Sequence, residues 1–282
     1  MTISQSTRDD KCAPAAGISL KYTEIPRHEI REFAPRKTRY CFAPIVYNEG
    51  DYFRRQLAEM AKNASLADIL VSERRSNDGS TDPDFLKANG VRALLTTDES
   101  GGATGIRMLF HYALSQGYEG VVLIDGNGKD GVDALPRFLE QLDAGLDFVQ
   151  GSRFARGGGH KNTPALRMLG IKLIMVPLLW LGGGFRYTDA TNGFRGYSRR
   201  FLEDPRVEPL RACFKRFNLQ YYLSIMAPRL GLKVIEIPVT RVYPDAGPTP
   251  TKVVGIKANF RAFWEMALAV FGQYSPPKPG KN

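Results

Sequence analysis

The sequence predicts an α/β fold in which a mixed, mostly parallel sheet is covered by helices on both faces. Three observations carry this expectation. From Arg39 onwards, short apolar runs alternate with stretches of helical period. The runs are too short for helices and are bounded by Gly, Pro, Asn and Asp, which read as strand ends. The polar, glycine-bearing segments PIVYNEG, ERRSNDGSTD, TTDESGGATG and DGNGKD each follow a strand. Strands alternating with helices form crossover units, so these four loops gather along one sheet edge, where open sheets bind ligands.

Taken in order, residues 1–36 mix proline, charge and short apolar pieces without a period, and read as an extension draped over the core. Tyr40–Tyr47 is a strand, and Asp51–Asn63 a helix whose Phe53, Leu57 and Met60 recur at i, i+4 and i+7 on one face. Ile69–Ser72 is the next strand, followed by a turn-rich segment, a short helix about Phe85–Ala88 and a strand at Val91–Leu95. Gly105–Gln116 is a helix with Ile106, Leu109, Phe110, Ala113 and Leu114 on one stripe. Val121 to Ile124 is flanked by glycines and reads as a central strand buried on both faces. It ends in Asp125, Asn127, Lys129 and Asp130, on a loop softened by Gly126 and Gly128.

A helix carrying Leu135, Phe138, Leu139 and Leu142 follows, then a short strand at Asp147–Gln150. Pro164–Leu181 is strongly apolar but broken by Pro177 and glycines. Two readings stay open for it: a buried helix, or a helix facing a lipid monolayer and anchored by Trp180, Lys172 and Arg167. Beyond DATNGFRGYSRR come a helix about Leu219–Ala227 and a strand at Lys233–Thr240 with Ile235, Ile237 and Val239 alternating. A Pro/Gly loop with Arg241, Tyr243 and Lys252, an amphipathic helix about Ile256–Phe271 and a disordered-looking tail close the chain. The organisation is an extension (1–36), a main domain (37–245) and a C-terminal loop, helix and tail (246–282).

Composition narrows the function. A formal charge of +10 suggests an anionic partner, such as a nucleotide diphosphate, a lipid phosphate or an anionic membrane face. The basic residues recur along the chain with no zinc-finger or RNP-like sequence, which disfavours nucleic acid. Cys12, Cys41 and Cys213 are widely spaced, which argues against a zinc site or disulfide framework. GxGxxG is absent from the first strand–helix turn, which disfavours an NAD enzyme. No run reaches the ~18 apolar residues of a membrane span, and the polar start lacks a signal-peptide core, so a cytoplasmic location is expected.

PIVYNEG, NDGSTD, GGATGIR before a helix, an acid-rich loop after an apolar strand, GSRF with following glycines, DATNGFR and a late R…TK loop occur in one order. That order resembles glycosyltransferase family 2, most closely the polyprenyl-phosphate branch that includes dolichyl-phosphate mannose synthase. The resemblance covers about Arg39 to Gly255 and implies the GT-A fold, a Rossmann-like sheet that binds a sugar nucleotide and transfers the sugar with inversion.

By this resemblance Pro44, Tyr47 and Glu49 lie in the first base-contacting segment, and Gly105 in the glycine-bearing segment on the nucleotide-sugar side. Either Glu73 or Asp78 holds the base, Asp78 being favoured. Where the family has DxD, this chain has Asp125 and Asn127, which imply Mg²⁺ or Mn²⁺ on oxygen ligands; the alternative is a metal-light site in which Lys129 neutralises the diphosphate. Arg153 resembles an arginine meeting the acceptor phosphate, and Arg241 and Lys252 resemble lid residues closing on the diphosphate. Asp189 and Arg195 sit on the acceptor side. Asp189 is a general base if the acceptor is a hydroxyl, and Arg195 either contacts substrate or pairs with Asp189. His160 lies near the acceptor side.

The implied catalytic set is Asp125, Asp189, Arg153 and Lys252. The implied partners are a GDP- or UDP-hexose and a polyprenyl phosphate or related acceptor at the cytoplasmic membrane face, with a soluble hydroxyl acceptor and a non-catalytic sugar-nucleotide-binding module as alternatives.

Overall fold

The computed structural model describes residues 20–245 and 255–277. Its strands are β1 (Glu29–Glu32), β2 (Tyr40–Val46), β3 (Asp68–Glu73), β4 (Val91–Thr96), β5 (Gly120–Asp125), β6 (Phe148–Ser152), β7 (Gly159–Lys161), β8 (Arg195–Ser198), β9 (Val234–Pro238) and β10 (Thr240–Val242). Its helices are α1 (Gly50–Ala61), α2 (Pro83–Ala88), α3 (Gly102–Ser115), α4 (Leu135–Asp143), α5 (Ala165–Gly170), α6 (Val176–Gly183), α7 (Arg199–Leu202), α8 (Asn218–Arg229) and α9 (Gly255–Val270). The main sheet has the order β1-β4-β3-β2-β5-β8-β6-β9, and β7 pairs with β10 in a small separate sheet. β2, β3, β4 and β5 run parallel, as do β6 and β9, whereas β1 and β8 are antiparallel to their neighbours.

Side chains alternate across the sheet, so each central strand feeds two cores. Cys41, Ala43, Leu70, Leu95, Val121 and Leu123 pack with α3, α8 and α9. Tyr40, Phe42, Ile69, Val71, Val122 and Ile124 face the opposite way, towards α1, α2 and α4. Phe53, Leu57 and Met60 are fully buried there, as their spacing requires.

Register fixes where the loops emerge. Ile45 lies opposite both Ser72 and Asp125, Val46 opposite Glu73, and Glu73 opposite Thr96. The carboxyl ends of the parallel strands are therefore level, and their loops share one edge.

Three parts differ from the sequence expectation. The extension is not patternless throughout, since Glu29–Glu32 forms the edge strand β1 against β4. The single strand expected at Lys233–Thr240 divides, because the chain leaves β6 after Pro238 and pairs with β7 from Thr240. The apolar segment is helical over Ala165–Gly183, long and apolar enough to cross a membrane, and only 17 % buried inside the protein.

Counting unbroken apolar residues missed this length because Pro177 and glycines interrupt the run. A π turn at Ile171–Met175 immediately precedes the proline in α6, and its wider winding accommodates a residue without an N–H. Leu166, Leu173, Ile174, Trp180 and Leu181 are all exposed, so the buried-helix reading is corrected.

Candidate active site

The polar edge is built around Asp125 at the end of β5. Its carboxylate accepts from Arg241 Nη2 at 3.2 Å and from Asn127 Nδ2 at 3.4 Å. Arg241 reaches it from β10, and its Nη1 donates to Asp130, which also accepts from Asn192 Nδ2 at 3.3 Å. Backbone pairing holds these two segments together: the Gly131 N–H donates to the Thr240 carbonyl, and the Val242 N–H to the Lys129 carbonyl. Gly193 backs Asp125 so closely that a Cβ there would lie 2.6 Å from Oδ1.

Charge and burial set the ionisation of this cluster. Burial pushes the Asp125 carboxyl up, but the charges of Arg241 and Lys129 outweigh it and hold it below the usual carboxylate range. At Asp130, whose side chain is fully buried, desolvation wins over Arg241 and the carboxyl is raised. Burial and the charge of Arg241 push Lys129 down to about 7, and its ammonium lies 5.0 Å from the centre of the Tyr243 ring. Arg167 on α5 adds to that depression, which puts the apolar helix within electrostatic reach of the cluster.

The loops after β2 and β3 are laced together beside this centre. Tyr47 stacks under the Arg74 guanidinium at 4.0 Å. Asn48 accepts from the Asn77 N–H at 2.9 Å and donates its own N–H to Ser76 Oγ at 3.1 Å. Asp78 is exposed and accepts from the Gly50 N–H at the start of α1, at 2.7 Å. Glu73 is buried, and its two oxygens accept from the Ser76 N–H, Thr81 Oγ1 and Thr96 Oγ1.

Of the two carboxylates offered for the base, Asp78 lies on the open side of the loop while Glu73 ties the loop to the sheet. Glu49 borders α1. Pro44 is buried inside β2 rather than in the loop, and Gly105 is buried where α3 meets β3, with Ser72 Oγ donating to its carbonyl at 3.1 Å.

On the other flank, Arg153 and Asp189 are paired with each other. The expectation that Asp189 pairs with Arg195 is corrected. Arg195 turns into the interior, where it donates to the carbonyls of Asn192, Gln220 and Ala190 and to Ser224 Oγ. It is 1 % exposed.

Phe154 sits 4.6 Å from the Lys172 ammonium and 5.4 Å from the His160 ring. His160 pairs in register with Arg241 across the small sheet, which makes the two flanks contiguous. Lys252 lies outside the described residues.

A divalent cation would find limited protein ligands here. Among the described residues no group of three or more His, Cys, Asp and Glu side chains stands together to hold one. Asp125, with a side chain 37 % exposed, is the accessible carboxylate of the cluster, while Asn127 turns its Nδ2 towards Asp125 and accepts from the Lys129 N–H at 3.3 Å through its Oδ1. A single accessible carboxylate fits the regime in which Mg²⁺ takes one or two protein carboxylates and completes its shell with water and substrate phosphates.

The sheet order and this arrangement of loops are those of the GT-A fold. No family model matches the chain. It is 29 % identical over 206 residues to an undecaprenyl-phosphate mannosyltransferase from Micrococcus luteus, spanning 72 % of this chain and 83 % of that protein. It is 28 % identical over 205 residues to a polyprenol monophosphomannose synthase from Mycolicibacterium smegmatis, spanning 69 % and 74 %.

In structure it is similar to glucosyl-3-phosphoglycerate synthase from Mycobacterium tuberculosis in complex with Mn²⁺, UDP-glucose and phosphoglyceric acid, with a TM-score of 0.61 at 13 % identity, covering 85 % of this chain and 81 % of that one. The resemblance to the polyprenyl-phosphate branch of glycosyltransferase family 2 is thus carried by sequence relatives as well as motifs.

Proposed function

We propose that the chain moves a hexose from a nucleotide-diphosphate sugar to a polyprenyl phosphate at the cytoplasmic membrane face, with inversion at the anomeric carbon. One observation carries the reading: a cluster of cationic and carboxylate side chains, Asp125, Lys129, Asp130 and Arg241, lies within electrostatic reach of a long helix whose apolar side chains are exposed. Such a helix suits the isoprenoid part of the acceptor and the surrounding lipid, while Arg167 and Lys172 on the same element stand within electrostatic reach of Lys129 and over the Phe154 ring respectively.

The donor lies across the β2, β3 and β5 loops, with Tyr47, Glu49 and Asp78 on the base side and Lys129 and Arg241 towards the diphosphate. An arriving diphosphate competes with Asp125 and Asp130 for the Arg241 guanidinium. As the sugar–phosphate bond lengthens, Arg241, Lys129 and Lys252 stabilise the charge gathering on the leaving group. Mg²⁺ or Mn²⁺, held by Asp125 and Asn127, would supply further neutralisation of that charge when bound.

The acceptor phosphate is already anionic and needs no base. This agrees with the state of Asp189, which Arg153 holds ionised and occupied. A hydroxyl acceptor would need Asp189 released from that pair.

Incubation with GDP-mannose, UDP-glucose or UDP-GlcNAc, Mn²⁺ and undecaprenyl phosphate in vesicles tests the reading. The expected product is a lipid-phosphate hexose of inverted anomeric configuration. Transfer only to water-soluble hydroxyl compounds would refute it.

A further inference from the structure

Gln56 is a polar residue on the buried face of α1, between Phe53 and Leu57, and is 5 % exposed. Its side chain is spent on one object, the turn that follows β5. Gln56 Nε2 donates to the Asp125 carbonyl at 2.9 Å, and Gln56 Oε1 accepts from the Gly128 N–H at 2.9 Å. The chemistry settles which way the amide faces, because a carbonyl requires a donor and an N–H an acceptor.

A third tether, the Gly126 N–H donating to the Ile45 carbonyl at 2.9 Å, fixes the turn to β2. Tyr52, one helical turn before Gln56, walls the same turn: a Cβ on Gly128 would lie 3.1 Å from the Tyr52 carbonyl. Gly128 has φ +70°, a conformation that glycine adopts readily.

We infer that Gln56 is a positioning residue for the reaction: it clamps the Asp125–Gly128 turn from behind and so sets where the Asp125 carboxylate and the Asn127 amide stand. The inference rests on the reading of Asp125 as part of the donor site. Among the described residues no backbone pairing from β2 reaches the far side of the turn, so the reach of the Gln56 side chain, two bonds longer than a serine hydroxyl, supplies what the sheet does not. Leucine fills a similar volume but leaves the Asp125 carbonyl and the Gly128 N–H without this partner. Glutamate keeps the acceptor for Gly128 and loses the donor to Asp125. The three side chains form a graded series at nearly constant size.

The full-length chain and its Gln56→Leu and Gln56→Glu variants are compared by amide hydrogen exchange over the Asp125–Gly128 turn and by initial rates of hexose transfer, well below the thermal midpoint. Expected are exchange at the turn at least tenfold faster in Gln56→Leu, and kcat lowered at least tenfold with KM for the nucleotide sugar changed less than threefold. Gln56→Glu should fall between wild type and Gln56→Leu in both measures.

Unchanged exchange at the turn in a folded Gln56→Leu variant overturns the inference, and so does wild-type kcat in that variant. A wild-type chain that transfers no hexose defeats the proposed function instead, and the exchange comparison still decides whether Gln56 holds the turn.

Discussion

Arg153 and Asp189 form a two-point ion pair, Nε to Oδ2 at 2.6 Å and Nη2 to Oδ1 at 2.9 Å, with the two side chains 1 % and 0 % exposed. Fork geometry satisfies both carboxylate oxygens at once, and the Thr191 N–H adds a further donor at 3.1 Å. Burial alone would raise the Asp189 carboxyl, but the hydrogen bonds and charge of Arg153 prevail and hold it below its ordinary value.

That pair makes stability pH-dependent in a defined direction. Because the folded value lies below the unfolded one, the unfolded chain binds more protons in the interval between them. The contribution is complete above the unfolded carboxylate range and is lost as pH falls through the folded value. Asp189→Asn should therefore lower unfolding stability at pH 7 by about 3–5 kcal/mol, leaving a buried guanidinium without its partner. Urea titrations between pH 7 and pH 3 should show a shallower acid decline in the variant than in wild type.

Asp125→Asn should reduce hexose transfer by about 100- to 1000-fold, the scale expected when a preorganised electrostatic group is lost. The fold should survive, because the residue caps a strand at a partly open edge. Steady-state rates alongside circular dichroism check both halves of the statement.

Gly193→Ala tests how tightly Asp125 is placed. The new methyl would sit 2.6 Å from Oδ1 and push the carboxylate aside, and a displacement near 1 Å is enough to cost about 100-fold in rate. Gly105→Ala is the contrasting change. Its methyl would crowd Ser72 Oγ at 2.9 Å, inside the α3–β3 contact, so it should lower stability by about 1–3 kcal/mol with turnover of the folded enzyme little altered.

The exposed face of the Ala165–Gly183 helix and the exposed Phe260 and Trp264 of α9 should carry the chain onto anionic vesicles. Lys172 on the first helix and Lys257 and Arg261 on α9 are exposed basic residues that complement the lipid charge. Burying one large apolar side chain contributes about 1.5–3 kcal/mol. Leu173→Ser and Trp180→Ser should therefore each weaken vesicle flotation about tenfold or more, and the pair more than either.

The alternation of strands and helices and the gathering of four loops were legible because period and glycine placement are local signals. Motif order pointed to Asp125 and Arg241, which the structure brings into contact. The Arg153–Asp189 pairing was not, since which arginine meets a carboxylate depends on how β6 and the segment before β8 come together. Gln56 carries a local signal of its own: an amide on the same face as Phe53, Leu57 and Met60 needs a buried partner. β1 was hidden because EIRE has the composition of a charged linker, and its strand character comes from the partner it finds in β4.

β1 also has a consequence for the rim of the sheet. Its four residues occupy the flank of β4, three of them charged, so the outermost ladder shows carboxylates and a guanidinium to solvent. A chain beginning after Arg36 would bare the flank of β4, whose six residues are largely apolar and buried. Open rungs of that kind invite a second molecule to add its own strand. With β1 in place, that flank of β4 is already paired.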